Sequence, residues 1–461
     1  MRSIGEKCGV FGVYGNGLDA SRLTFFGLYA LQHRGQESSG ISSSDGKKMY
    51  CYKNSGLVSQ VYNEETISGL KGHIAIGHNR YSTAAGTGVE HAQPLLSEDK
   101  SIALAHNGNL PSTVKLEIFL KKRGIMRANV SDSELILEGL YSLVKEGMKI
   151  ESAIERIFPY LTGSFSLLIQ TTDKLIAIRD SFGIRPLSIA KLNGGYVFSS
   201  ETCAFHPIGA TFLRDVLPGE MVVVDKRGLT SKTIVKGTQK LDIFEFVYFS
   251  RPDSDLLGQS VYEVRKRFGT ELAHEYPIFA DIVIPVPETA IPVAIGFCNA
   301  TGIPFEMGLI KSRYIHRTFI EPEQHIREQG VKLKLTPLPG AIKGKKVIVI
   351  DDSIVRGTTS RQIVKMLFEA GAKEVHFLVS SPPVKFPDFY GIDLPRQSDL
   401  LASTKSPTEI NEYLGSTSLN FLSYKGMIKA TGLPEASFST SCFTGKYPID
   451  IKERKKEIVY K

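Results

Sequence analysis

Two adjacent carboxylates, Asp351 and Asp352, follow the short apolar stretch Val347–Ile350 and precede the turn Arg356–Ser360. Carboxylates this close repel each other, so they are suited to contact a cation or the hydroxyl groups of a sugar. Glycine permits a tight turn, and backbone N–H groups together with three hydroxyls can surround a phosphate. These residue types therefore predict a site for a phosphorylated sugar.

A strand and a helix must position these groups. Val347–Ile350 is short, β-branched and apolar on both faces, which predicts a buried parallel strand. The acids then lie at its carboxyl end, where open α/β sheets bind their ligands. Arg361–Ala370 has apolar residues at helical spacing and Gly371 fits its end, so a phosphate in the turn would lie at a helix N-terminus. The alternative is an ordinary strand, polar turn and helix without a ligand.

The whole stretch Lys345–Ser360 resembles the phosphoribosyl-pyrophosphate (PRPP) loop of type I phosphoribosyltransferases. The resemblance implies that the two acids hold the ribose hydroxyls and that the turn holds the 5′-phosphate. The residues it implies for PRPP binding in this loop are Asp351, Asp352, Ser353, Arg356, Gly357, Thr358, Thr359 and Ser360.

A second turn of the same half, Pro285–Ala290, follows a predicted strand, Asp281–Pro285, and precedes a predicted helix, Ile291–Asn299. In the phosphoribosyltransferase family this turn holds the pyrophosphate. The resemblance implies that Thr289, with the two acids of the PRPP loop, helps to hold Mg²⁺. The alternative is a proline-rich loop without a ligand.

Lysine and arginine are frequent in Leu309–Leu335, which lacks a convincing core periodicity. A long cationic loop is suited to close over a polyphosphate and to exclude water. It resembles a flexible catalytic loop of PRPP-dependent amidotransferases, which implies that Arg317 and Lys332 contact PRPP. Lysine lacks the planar fork of the arginine that relatives often have at position 332. The alternative is an exposed charged helix.

Cys8 precedes a β-rich apolar run near the start of the chain. Hydrolysis of an amide needs a nucleophile, a base and an oxyanion site. A cysteine at a chain terminus carries its own base, because the free α-amino group titrates near neutral pH. Cys8 is not the first residue, so we expect Met1–Lys7 to be a propeptide that is removed. The alternative is a buried core cysteine.

Downstream motifs resemble, in order, those of the class II glutamine amidotransferases, which are N-terminal-nucleophile (Ntn) hydrolases. The resemblance implies that Asn107 and Gly108 form the oxyanion hole with Cys8 as the nucleophile. The motifs are Leu31–Gly40, Gly77–Thr83, Ala105–Leu110, Ser131–Leu137, Arg179–Leu187 and Ser199–Thr202.

The same resemblance assigns residues to the glutamine substrate. Arg80 holds its α-carboxylate, a bidentate task suited to a guanidinium, and Asp132 binds its α-ammonium group. Arg34 and Thr83 lie in matching motifs and are expected to shape the pocket, with a structural polar role as the alternative.

The expected fold is α/β (α+β overall), with a four-layer αββα Ntn-hydrolase sandwich followed by a doubly wound parallel sheet. We expect an amidotransferase domain at 8–236 and a phosphoribosyltransferase domain at 241–461, with Lys232–Lys240 as the linker. The predicted helices of the first domain are Ala20–Gln32, Ser112–Arg123 and Ser131–Glu146. Its predicted strands include Ile74–Gly77, Ile102–Ala105, Ser164–Gln170, Leu175–Ile178 and Met221–Val224.

Composition is that of an ordinary globular protein, with 42% hydrophobic and 23% charged residues in 461. The net charge of +8 suits an anionic substrate and does not indicate nucleic acid. Neither a signal peptide nor a membrane span is visible. The five scattered cysteines favour a reducing cytoplasm.

The resemblance extends from Cys8 to about Pro448 and implies a glutamine amidotransferase that acts on PRPP. Glutamine, PRPP and water would give 5-phosphoribosylamine, glutamate and pyrophosphate, with ammonia passed internally, in the committed step of purine synthesis. The PRPP loop argues against class II amidotransferases whose second domain is not a phosphoribosyltransferase. The remaining alternative is a PRPP-sensing regulator or an inactive paralogue.

Relatives are homotetramers that purine nucleotides inhibit, and we expect both properties here. Some relatives also bind a [4Fe–4S] cluster through four cysteine thiolates. The matching positions of this chain are Asp242, Asp388, Ser439 and Cys442, of which only one keeps a sulfur. Because carboxylates and hydroxyls replace thiolates poorly in such clusters, we predict no iron–sulfur cluster.

Overall fold

The first half of the chain forms two antiparallel sheets that pack face to face. The computed structural model describes residues 8–81, 88–127, 130–312, 334–392, 394 and 396–459. Val10 and Ile76 of one sheet meet Ala105 and Leu168 of the other in a buried apolar layer. In spatial order, the seven-stranded sheet consists of Thr211–Asp215, Ser188–Leu192, Gly195–Ser199, Gly9–Tyr14, Ile74–Arg80, Ser38–Ser44 and Met49–Ser55. The six-stranded sheet consists of Gly228–Thr233, Glu220–Asp225, Leu175–Arg179, Thr162–Gln170, Ala103–Ser112 and Leu95–Leu96.

Helices cover the outer face of each sheet and complete the predicted αββα sandwich. Ala20–Ala30 packs on the seven-stranded sheet, and three helices pack on the other. The helix Asp132–Lys145 begins with a capping box, because Ser131 and Glu134 satisfy each other's backbone N–H groups. The helices of this half are Ala20–Ala30, Val58–Val61, Glu64–Gly69, Val114–Lys121, Asp132–Lys145 and Ile150–Ile157.

The second half contains a four-stranded parallel sheet. Alternate residues of its strands enter two different apolar cores, as Val347 and Ile348 illustrate, so both faces are covered and the predicted doubly wound domain is confirmed. The strands, in spatial order, are Ile282–Pro285, Lys346–Asp351, Glu374–Val379 and Ser418–Phe421. The helices are Val261–Glu275, Ile291–Thr301, Pro339–Ile342, Thr358–Glu369, Leu401–Thr404, Pro407–Leu414, Tyr424–Thr431 and Ser441–Thr444.

The last part of the chain packs against the first domain. Ile184 shares a small apolar cluster with Phe389, Tyr390 and Ile451. The Tyr390 hydroxyl donates to the carbonyl oxygen of Ile449 at 2.6 Å and accepts from its N–H at 3.0 Å. The two domains therefore meet through buried side chains.

The predicted linker Lys232–Lys240 overlaps the end of the strand Gly228–Thr233. Residues 234–240 have no regular structure, and the next strand is Leu241–Asp242. Within the described ranges, no helix is long and apolar enough to cross a membrane.

Candidate active sites

Cys8 lies directly before the strand Gly9–Tyr14, in the middle of the seven-stranded sheet. Its thiol lies 4.0 Å from the carbonyl oxygen of Tyr81. Burial raises the pKa of the Cys8 thiol, and the nearby positive charge of Arg80 opposes this effect. A thiol with a raised pKa needs a base before it can attack a carbonyl carbon.

Charges of both signs surround the thiol. Arg80 ends the strand that pairs with the strand after Cys8, and its guanidinium lies 3.6 Å from Glu37. Asp132 begins the helix Asp132–Lys145, where its carboxylate accepts hydrogen bonds from the N–H groups of Leu110 and Ser133. The charges of Arg80, Asp132 and Glu37 all act on the Cys8 thiol. The structure thus brings one cation and two anions near the Cys8 thiol.

The predicted oxyanion pair lies on the neighbouring sheet, in the strand Ala103–Ser112. The Asn107 amide donates to the Ser200 hydroxyl at 3.4 Å, and that hydroxyl also accepts from the N–H of Val10 at 3.0 Å. Ser200 therefore connects Asn107 to the strand that follows the nucleophile. Gly108 has a φ of +152°, which favours glycine.

His106 connects the same strand to the helix that carries Asp132. Its Nδ1 lies 2.9 Å from the Ser133 hydroxyl and 3.8 Å from the Asp132 carboxylate. Gln93 accepts from the N–H of His106 at 2.7 Å and donates to the Ser133 hydroxyl at 3.2 Å. These bonds fix the distance between the predicted oxyanion pair and the predicted α-ammonium ligand.

Arg34 lies apart from these groups, although its stem packs against Gly9. Its guanidinium is buried and donates to Glu201, to Glu245 at 2.5 Å and to the Ser250 hydroxyl at 3.3 Å. The bond to Glu245 joins the two domains, and the role of Arg34 in shaping the glutamine pocket stays a prediction. Thr83 and the predicted propeptide Met1–Lys7 lie outside the described residues.

A second site lies at the carboxyl end of the strand Lys346–Asp351. Asp351 is buried, and both burial and the neighbouring Asp352 raise its pKa. Burial also raises the pKa of Asp352, while a hydrogen bond from Ser353 and the charge of Arg265 oppose this. Two adjacent carboxylates with raised pKa values form a site that a cation or hydroxyl donors would stabilise.

The adjacent parallel strand Ile282–Pro285 brings the predicted turn Pro285–Ala290 to the same end of the sheet. The hydroxyl of Thr289 donates a hydrogen bond to the Asp352 carboxylate. Thr289 and both acids thus lie together, as the sequence predicts. Among the described residues, no three His, Cys, Asp or Glu side chains form a set that could hold a metal ion.

The phosphate turn has the predicted form. Gly357, with a φ of +73°, precedes the helix Thr358–Glu369, so Thr358, Thr359 and Ser360 form its first turn. Ser353 donates to Asp352 at 2.6 Å, and Arg356 lies 3.6 Å from the Asp399 carboxylate. Arg317 and Lys332 lie outside the described residues.

Comparison with known proteins finds the predicted kind of domain in each half of the chain. A glutamine amidotransferase domain model matches residues 78–207, and a phosphoribosyl transferase domain model matches residues 259–381. The amidophosphoribosyltransferase of Synechococcus elongatus is 48% identical over 97% of this chain and 92% of its own length. That of Bacillus subtilis is 44% identical over 98% of this chain and 96% of its own length. The chain belongs to the amidophosphoribosyltransferase family.

The solved structure of the B. subtilis glutamine PRPP amidotransferase, complexed with ADP and GMP, has a TM-score of 0.90 to this protein. It is 44% identical, and the match covers 97% of this chain and 98% of that one. As a member of the amidophosphoribosyltransferase family, the chain is an enzyme that transfers the amide nitrogen of glutamine to PRPP in purine biosynthesis.

The four positions that match cluster ligands in some amidophosphoribosyltransferases lie near Arg185. Its guanidinium is buried, donates to Asp242 at 3.0 Å and lies 3.7 Å from Asp388. Asp242 pairs with Ser439 in a short parallel ladder. Burial, followed by the charges of Asp242 and Asp388, raises the pKa of the Cys442 thiol. An arginine paired with two carboxylates thus ties segments of both domains.

The buried residues Arg265, Arg185 and Glu245 were assigned no role from the sequence. Arg265 lies near Asp352, while Arg185 and Arg34 both pair with Glu245. A signal was present for two of them. Arg265 falls on the apolar face of the helix Val261–Glu275, and Glu245 interrupts an aromatic run. A charge at a core position predicts a buried partner.

Proposed function

We propose that Cys8 is the nucleophile of a glutaminase site in residues 8–236 and that residues 241–461 use the released ammonia at PRPP. The observation that supports this most directly is the pair of opposite charges at the Cys8 thiol, from Arg80 and Asp132. Glutamine carries an α-carboxylate and an α-ammonium group, which these two side chains complement.

In this mechanism the Cys8 sulfur attacks the amide carbon and forms a tetrahedral oxyanion. The Asn107 amide and the Gly108 N–H stabilise that oxyanion, and its collapse expels ammonia and leaves a thioester. Water then hydrolyses the thioester to glutamate. The α-amino group of Cys8 takes the thiol proton and gives it to the departing nitrogen, which leaves as ammonia; this requires the removal of Met1–Lys7.

At the second site, Asp351 and Asp352 hold the ribose hydroxyls of PRPP, and the first turn of the helix Thr358–Glu369 holds the 5′-phosphate. Burial raises the pKa of both acids, and only Asp352 has a cation, Arg265, that opposes this, so hydroxyl donors would stabilise their charged forms. Ammonia that travels inside the protein stays unprotonated and displaces pyrophosphate from the anomeric carbon.

Mg²⁺ fits the donor set of this site. The oxygens of Asp351, Asp352 and Thr289 are hard ligands, and substrate oxygens and water would complete the coordination. When bound, Mg²⁺ neutralises charge on the leaving pyrophosphate. We propose Thr289, Asp351 and Asp352 as the protein groups nearest to it, and Arg317 and Lys332 as further contacts to PRPP.

We further propose that the enzyme is a cytoplasmic homotetramer inhibited by purine nucleotides, without nucleic-acid or membrane partners. Nucleotide binding is supported by the B. subtilis relative, which was solved with ADP and GMP. All five cysteines of this chain are unpaired, which agrees with a reducing compartment.

Product stoichiometry tests the two-site function against a PRPP-sensing regulator or an inactive paralogue. With glutamine, PRPP and Mg²⁺, we expect glutamate and pyrophosphate to appear in equal amounts, with glutamate release that depends on PRPP. Binding of PRPP without release of pyrophosphate would favour the regulator or the inactive paralogue.

Metal analysis tests the absence of a cluster. Protein purified without oxygen should contain no stoichiometric iron or acid-labile sulfide and should have no brown absorbance, because one thiolate cannot hold a [4Fe–4S] cluster. We expect Arg185 to balance the charges of Asp242 and Asp388 at the position where a cluster would bind. Stoichiometric iron and sulfide would contradict this prediction and leave the catalytic assignments unaffected.

A further inference from the structure

The second domain reaches the predicted oxyanion strand through the backbone of residues 389–391. The Asn109 amide donates to the carbonyl oxygen of Phe389 at 2.9 Å. The hydroxyl of Ser164, which lies opposite Asn109 in the sheet, donates to the carbonyl oxygen of Tyr390 at 3.2 Å. A methyl group added at Gly391 would lie 3.1 Å from the carbonyl carbon and oxygen of Gly108. The two glycine backbones are thus in direct contact.

Buried polar groups hold this segment in place. The Asp388 carboxylate accepts hydrogen bonds from the N–H groups of Tyr390 and Ile392, at 2.8 and 3.0 Å. Arg185 donates from Nε to the carbonyl oxygen of Tyr390 at 2.9 Å. Because Tyr390 and Arg185 are fully buried, the segment has a fixed position relative to the first domain.

Gly108 has little freedom on its other side. A methyl group there would lie 2.1 Å from the carbonyl oxygen of Ser164. An oxyanion donor is effective only when its N–H points to the place where negative charge develops. Small displacements of such a group are costly, because the geometry must be correct before the reaction begins.

We propose that Gly391 is a positioning residue for the glutaminase reaction. Its backbone packs on Gly108, and the neighbouring carbonyl of Phe389 holds Asn109, so the second domain fixes the direction of the Gly108 N–H. The proposal rests on the oxyanion role of Gly108 under the proposed function. It implies that the glutaminase site is complete only when the second domain is docked.

The variant Gly391→Ala tests this contact, and Gly228→Ala is its matched control. Both glycines have positive φ, +106° and +108°, but nothing lies within 4 Å of a methyl group at Gly228. We expect Gly391→Ala to lower kcat for glutamine hydrolysis about 10- to 100-fold, a fraction of the loss on removing an oxyanion donor. The KM for glutamine and the ammonia-dependent rate should change less than about twofold, since the substrate charges are bound elsewhere.

A γ-aldehyde analogue of glutamine gives a readout that general destabilisation would not mimic. Its hemithioacetal with Cys8 places an oxygen where the oxyanion forms, so its affinity reports the oxyanion hole directly. We expect Gly391→Ala to weaken the aldehyde by the same factor as kcat and to leave glutamate affinity unchanged. Gly228→Ala should behave as the unmodified protein in each assay.

Two further variants distinguish a failure of the positioning role from a failure of the proposed function. Asn109→Asp removes the donor to Phe389 and should lower kcat and aldehyde affinity as Gly391→Ala does. If Gly391→Ala does not fold, Asn109→Asp tests the positioning role instead. Asn107→Ala tests the oxyanion hole itself. If Asn107→Ala weakens the aldehyde while the Gly391 and Asn109 variants do not, the positioning role is wrong and the proposed function stands. If Asn107→Ala has no effect, the oxyanion assignment is wrong.

Discussion

Replacing Cys8 with alanine should abolish glutamine-dependent synthesis of 5-phosphoribosylamine and leave synthesis from added ammonia within about twofold of the unmodified rate. Loss of a nucleophile costs about 10⁴-fold or more in other hydrolases that form acyl-enzymes. The second activity should survive because the proposed PRPP site lies at the carboxyl end of a separate parallel sheet, on different strands. The measurement is pyrophosphate release with glutamine and, separately, with ammonium at alkaline pH.

Cys51→Ala is the matched control, because Cys51 is also half-buried but lies on the edge strand Met49–Ser55. It should retain both activities. Simultaneous loss of both activities in a folded Cys8→Ala protein would contradict the separation of the two sites. Intact mass adds a second check, since active protein is expected to lack Met1–Lys7.

Sequence patterns were sufficient for most of the fold. Apolar periodicity predicted the helix Ala20–Gln32 and the strand Val347–Ile350, which the structure has as Ala20–Ala30 and Lys346–Asp351. The helix after the PRPP loop begins at Thr358, three residues before the predicted Arg361, because its first turn is polar. Periodicity detects the buried face of a helix, and a terminus without apolar residues gives no such signal.

The junction between the domains could not be predicted in the same way. Motif matching placed Arg34 at the glutamine pocket and gave no sign that its guanidinium bonds Glu201 and Glu245. These partners lie 167 and 211 residues away along the chain, and no local pattern relates such distant positions. A buried charge in the sequence predicts that a partner exists, but only the tertiary fold identifies it.

The same limit applies to Arg185 and the segment after Asp388. The sequence located the four positions around them by motif but gave no sign of the bonds that join them. The structure supplies the hydrogen bonds: Arg185 reaches Asp242, Glu245 and the carbonyl oxygen of Tyr390. Removing one partner of such a buried set costs about 3–5 kcal/mol in other proteins.

Neutralising either acid of the PRPP loop should raise the KM for PRPP about 10- to 100-fold, because a hydrogen bond to a charged group contributes about 1.5–3 kcal/mol. The variants Asp351→Asn and Asp352→Asn should both keep the basal glutaminase activity, since Cys8 and its neighbours lie in the other domain. Asp281→Asn is a suitable control. Asp281 precedes the strand Ile282–Pro285, so it lies at the amino-terminal end of the same parallel strands, away from Asp351 and Asp352.

Stability without substrate should distinguish the two acids. For Asp351, burial and repulsion from Asp352 disfavour the charged form, so Asp351→Asn should leave the melting temperature unchanged or raise it. Asp352 also attracts the buried Arg265, whose guanidinium donates to the carbonyl oxygens of Phe246 and Ser250 at 2.8 Å. This attraction offsets part of the cost of burying the Asp352 charge, so Asp352→Asn should raise the melting temperature less than Asp351→Asn does. Calorimetry of both variants without PRPP measures the difference.

An unchanged KM for PRPP in either folded variant would contradict the assignment of that acid to the ribose. Equal shifts in melting temperature would contradict the role of Arg265 as the specific partner of Asp352.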